Sequence, residues 1–163
     1  MSSKSTSAEQ AKVVIERSYR AKLQDVWELW TTKDGFESWW GPQGFRVEVQ
    51  ELDARVGGPL RYDMIADSPE MIAAMKQMGQ PSSHSVRSRF SELRPNERLV
   101  LTNVIDFLPG VAAYENKIAV DFAVVGSNVR MLITTDAMHN EEFTKRQKEG
   151  FTSQLTKLDQ RFG

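Results

Sequence analysis

No cysteine occurs among the 163 residues. Disulfides, thiolate metal sites and a cysteine nucleophile are therefore excluded. Histidine is almost as scarce. His84 and His139 are the only two, far apart and without a local acidic pattern, so they do not form a zinc signature and no metal or other cofactor is called for. No stretch approaches the roughly 18 apolar residues of a membrane-spanning helix. Neither sign of charge accumulates: 21 Lys and Arg stand against 22 Asp and Glu, for a net charge of −1. A nucleic-acid surface usually announces itself as a basic stripe, so neither nucleic acid nor membrane is an expected partner. Residues 1–10 are polar and lack the apolar segment of a secretory leader. They read as a disordered tail, with 11–163 as one domain and a cytoplasmic location as the default. No Gly-x-Ser-x-Gly elbow is present, and no catalytic constellation stands out.

What is present begins with Trp39-Trp40-Gly41-Pro42. Adjacent side chains point to different faces in either regular structure. The two tryptophans are therefore expected to serve two surfaces at a helix-to-strand corner. Before them, Val13–Tyr19 reads as a strand. Leu23, Val26, Trp27 and Trp30 fall at i, i+3, i+4 and i+7, one face of a short helix. A second short helix is expected over 33–40, broken from the first near Thr31-Thr32. After Pro42 the period becomes two. Phe45, Val47 and Val49 alternate with Arg46, Glu48 and Gln50, and Leu60, Tyr62 and Met64 with Arg61 and Asp63. Gly57-Gly58-Pro59 turns between them. Further strands are expected over 86–93, 98–107, 115–125 and 129–135, joined by tight turns such as Gly126-Ser127-Asn128.

Two helices complete the pattern. Ser68-Pro69-Glu70 combines an N-cap, an N1 proline and a first-turn acid, and Gly79 with Pro81 supplies a stop signal. This predicts a short inserted helix over 68–79 carrying Met71, Met75 and Met78 on one face. Asn140 caps a long C-terminal helix with Glu141 and Glu142 in its first turn. Phe143, Phe151, Leu155, Leu158 and Phe162 form its apolar stripe, interrupted only by Gln147. Gly150 in that helix is expected to permit close approach to a neighbouring backbone.

Five segments, in order over residues 12–162, carry a resemblance: Val26-Trp27-Glu28-Leu29-Trp30-Thr31, Trp39-Trp40-Gly41-Pro42 with Phe45, Arg55-Val56-Gly57-Gly58, Pro95-Asn96-Glu97-Arg98-Leu99-Val100-Leu101-Thr102, and Lys148-Glu149-Gly150-Phe151. The chain resembles the family named after the activator of the heat-shock-protein-90 ATPase. That family lies within the START, birch-pollen-allergen and polyketide-cyclase-like (SRPBCC) superfamily. The resemblance implies an α+β helix-grip fold in which a curved antiparallel sheet, in β-α-α-β6-α order, wraps the terminal helix around a cavity. Asn103 stands where the family often has tryptophan, Phe151 replaces another tryptophan, and the 68–79 insertion exceeds the common loop. Members include lipid and hormone carriers, cyclases and chaperone activators, so the fold does not choose the function.

The leading expectation is a binder of a small apolar or amphipathic ligand. Trp39, Trp40, Phe45, Tyr62, Met64, Phe107, Tyr114 and Phe151 are candidate walls, and His84 or Asn103 a polar anchor. The alternative for the aromatic group is packing of the short helices onto the sheet. Met71, Met75 and Met78 suit a lid over the cavity, a homodimer contact or plain packing. The other functional classes are a stress-linked partner of a chaperone and an enzyme of cyclase or hydrolase type, which would need an inward acid–base pair.

Overall fold

The computed structural model describes residues 12–106 and 110–162. Seven strands, β1 (Val13–Tyr19), β2 (Phe45–Leu52), β3 (Pro59–Ala66), β4 (Ser83–Arg94), β5 (Arg98–Ile105), β6 (Tyr114–Val125) and β7 (Asn128–Thr135), pair antiparallel in one sheet. Their spatial order is β1-β7-β6-β5-β4-β3-β2, a meander from β2 to β7 with β1 added to its far edge. The helices are α1 (Leu23–Thr31), α2 (Lys33–Glu37), α3 (Pro69–Gln77) and α4 (Glu141–Phe162). The sheet curls into a half-barrel against α4, the α+β helix-grip arrangement that the sequence suggested.

Local chemistry explains the boundaries. In β2, Val47 and Val49 are buried while Arg46, Glu48 and Gln50 face outward, the pattern of a sheet wet on one side. Thr32 terminates α1 and caps α2, accepting the Gly35 N–H at 3.0 Å, so the break falls at Thr31-Thr32 as expected. Ser68 caps α3 through Met71 N–H (3.1 Å), and Asn140 caps α4 through Phe143 N–H (2.8 Å). Each such cap satisfies a donor the helix cannot.

The Gly57-Gly58 turn docks on β4. Gly57 N–H donates to Phe90 O (2.7 Å) and Phe90 N–H to Gly58 O (2.9 Å), where the β4–β5 register shifts between Phe90 and Glu92. Such a bulge bends its strand. A Cβ on Gly58 would stand 1.9 Å from Asp53 O, so only glycine fits this corner.

The convex face is polar and self-neutralising. Arg61–Glu51, Arg98–Asp121 and Arg130–Glu16 pair across neighbouring strands at 2.7–2.9 Å, and Arg89–Glu115 (2.9 Å) reaches from β4 over β5 to β6. Alternation of sign along these ladders makes a continuous basic stripe impossible there. Among the described residues no helix is long and apolar enough to cross a membrane.

Two packing expectations need correction. Of the α4 stripe, Phe151, Leu155 and Leu158 are buried, joined by Gln154, while Phe143 and Phe162 are only half-buried. Three buried apolar side chains anchor the helix at roughly 1.5–3 kcal/mol each. Gly150 makes no close approach: a Cβ there would meet nothing within 4 Å. Its missing side chain leaves open space.

Candidate ligand cavity

The tryptophan corner does divide its two rings between two surfaces. Trp39 is fully buried against the helices, with its Nε1–H on Leu29 O (2.9 Å) and its ring edge-on to Trp30. Trp40 lies at 85° to it. It stacks on Phe36 (4.7 Å between centroids) and turns its edge towards Phe151 (5.4 Å). Its Nε1–H donates to Tyr62 Oη at 3.0 Å. Burial raises the Tyr62 hydroxyl far above its ordinary titration range, so it keeps its proton.

The corner is bolted to α4. Gly41 N–H donates to Gln154 Oε1 (2.9 Å), Lys157 Nζ to Gly41 O (2.9 Å) and Gln43 N–H to Ser153 Oγ (3.0 Å). These bonds satisfy backbone groups of the corner between α2 and β2. They also set how far α4 stands from the sheet.

Between α4 and the concave face lies a cavity of about 360 Å³. The sheet wall comes from alternate residues of four adjacent strands: Tyr62 and Met64 on β3, His84 and Val86 on β4, Asn103 and Ile105 on β5, Asn116 and Ile118 on β6. The helix wall holds Phe143, Arg146, Gln147, Gly150, Phe151 and Gln154, and Met138 closes one end. Among the described residues no Asp or Glu lines it. Its one formal charge is Arg146, which is largely exposed, stacks over the Phe143 ring (5.2 Å) and stands 3.7 Å from Glu142. Burial lowers the pKa of His84, with Asp63 acting in the opposite direction, so the imidazole is neutral at neutral pH.

One end of the cavity is polar. Asn116, almost fully buried, donates from Nδ2 to Asp136 O (3.0 Å) and Ala137 O (3.4 Å). Two carbonyls can only receive an N–H, so they fix the Asn116 amide with Oδ1 turned the other way. Gln147 Nε2 donates to that Oδ1 at 3.3 Å. The Gln147 orientation is thereby fixed too, and its Oε1 is left buried without a donor.

Of the residues singled out from the sequence, Trp40, Tyr62, Met64, His84, Asn103 and Phe151 come together on this wall. Trp39 belongs to the packed core instead. Phe45, at the start of edge strand β2, is half-buried opposite Ala66 and does not line the cavity. Tyr114 also stands off it: its hydroxyl meets His139 Nδ1 (3.0 Å) and Met138 Sδ (3.6 Å), bracing the segment that leads into α4. Phe107 lies outside the described residues, as do residues 1–10. Met71, Met75 and Met78 contribute nothing to this wall; Met71 packs against Gly44, and Met78 is 62% exposed. Sequence reasoning missed Asn116, Met138, Arg146, Gln147, Gly150 and Gln154. A signal for one existed: Gln147 sits four residues from both Phe143 and Phe151, a polar residue on an otherwise apolar helix line.

This wall and corner belong to a chain whose residues 20–163 match the family of Activator of Hsp90 ATPase homolog 1-like proteins. The chain belongs to that family. Solved structures with the same fold include a protein from Chromobacterium violaceum (TM-score 0.71, 19% identity, covering 93% of this chain and 96% of that one). The AHSA1 protein from Silicibacter pomeroyi is similar (TM-score 0.70, 20% identity, 91% and 94%). So is an AHSA1-like protein from Aeromonas hydrophila (TM-score 0.66, 15% identity, 92% and 93%). At such identities the likeness establishes the fold alone. No curated protein matches the chain significantly.

Proposed function

We propose that this member of the family binds a small, mostly apolar molecule in the cavity between its sheet and α4. The unfilled volume of about 360 Å³ carries this reading. Ligand sites are clefts of some hundreds of cubic ångströms, mostly apolar with a few placed polar groups, and this one has that make-up. Trp40, Met64, Ile105, Ile118 and Phe151 supply the apolar surface, and Gly150 enlarges it. Binding accounts for the wall better than acid–base catalysis does, because no carboxylate lines the cavity among the described residues and the Tyr62 hydroxyl is already engaged by Trp40.

Native mass spectrometry of freshly purified protein tests the proposal. An apolar adduct is expected, and Gly150→Leu, which puts a side chain into the open space, should remove it. A bare mass, together with tryptophan fluorescence indifferent to apolar probes, would refute it.

The family match favours a second reading, stimulation of a chaperone ATPase, which is the activity in the family's name. An ATPase assay with the chaperone separates the two. Stimulation that survives Gly150→Leu would place the activity on the outer surface and not in the cavity.

A further inference from the structure

The ligand class can be narrowed from the polar end of the cavity. Gln147 Oε1 is one of three buried side-chain oxygens or nitrogens without a partner among the described residues; the others are Asn96 Oδ1 and Thr135 Oγ1. Thr135 stands across the ladder from cavity-lining Ile118, in the same half of the sheet. An acceptor closed off from water without a donor is costly and calls for an explanation. It cannot be relieved by flipping the amide, because Asn116 holds the Gln147 N–H2 group and is itself held by two carbonyls. The holding bond is long at 3.3 Å, and the terminal torsion of glutamine is soft. A modest rotation therefore brings the oxygen to the wall that Gln147 already lines.

Resting on the binding reading above, we propose that the cavity selects an apolar molecule with one hydroxyl, an alcohol or phenol, whose O–H is received by Gln147 Oε1. The surrounding charges exclude the other candidates. A carboxylate has no proton to give this oxygen. An ammonium would enter a cavity that offers no acidic side chain and has Arg146 as its one formal charge. A neutral hydroxyl meets neither objection. Its oxygen can in turn accept from Asn103, which lines the strand wall opposite α4.

Isothermal titration of the full chain with naphthol and with its methyl ether, methoxynaphthalene, tests this. The two probes share an aromatic body and differ in the single O–H. Naphthol is expected to bind about tenfold more tightly, the factor that one satisfied buried acceptor commonly provides. Gln147→Met should abolish the preference while keeping both probes bound. Equal affinity of the parent protein for both probes would overturn the hydroxyl assignment and leave the binding reading standing. Binding of neither probe would bring down both. A preference that persists in Gln147→Met, or a water molecule that stays on Oε1 in the naphthol complex, would show that this oxygen does not read the ligand.

Discussion

Gly41 and Gln154, 113 positions apart, share a buried hydrogen bond of 2.9 Å, backbone N–H to side-chain Oε1. It ties the tryptophan corner to the terminal helix and so helps to hold the cavity open. Gln154→Leu keeps the shape and removes the acceptor, leaving a buried N–H unpaired. Stability should fall by about 1–3 kcal/mol, measured by urea unfolding with an unchanged m-value.

Gly150 makes the opposite case. Its Cβ would meet nothing within 4 Å, so Gly150→Ala should stabilise the protein by up to about 1 kcal/mol through helix propensity. Gly150→Leu should keep most of that gain and lose apolar ligands, a split that melting and titration experiments would read separately.

His84 should make stability depend on pH. Burial holds its folded-state pKa below the ordinary 6.5. Between those two values the unfolded chain takes up a proton that the folded chain refuses. Stability therefore falls as pH drops through 6.5 and levels off below the folded-state value. Melting curves of the parent and His84→Gln across neutral and mildly acidic pH should converge in slope except for this contribution, and an NMR titration should find the imidazole midpoint below 6.5.

Gly58→Ala should be among the most damaging small changes. The added carbon would stand 1.9 Å from Asp53 O, and the turn it displaces also closes onto Phe90. A loss of at least about 1–3 kcal/mol is expected, visible as a lower denaturation midpoint.

Much of the architecture was readable because the signals that specify it are local. Ser68, Asn140 and the Thr31-Thr32 break marked helix ends, and period-two alternation marked the strands, since capping and pleating act over a few residues. The division of labour between Trp39 and Trp40 was readable for the same reason. Which of them faced the cavity was not.

Local pattern within the chain thus determined the strand and helix order, the caps, the two-sided corner and the inward parity of Tyr62, Met64 and His84. Only the tertiary structure decided that Gly150 opens space, that Phe45 and Tyr114 stand off the wall, and that Asn116 locks Gln147. Those outcomes depend on the distance and rotation at which α4 meets β3 through β6. Residues more than a hundred positions apart, such as Gly41 and Gln154, help to set both, and no periodicity along a single segment encodes them.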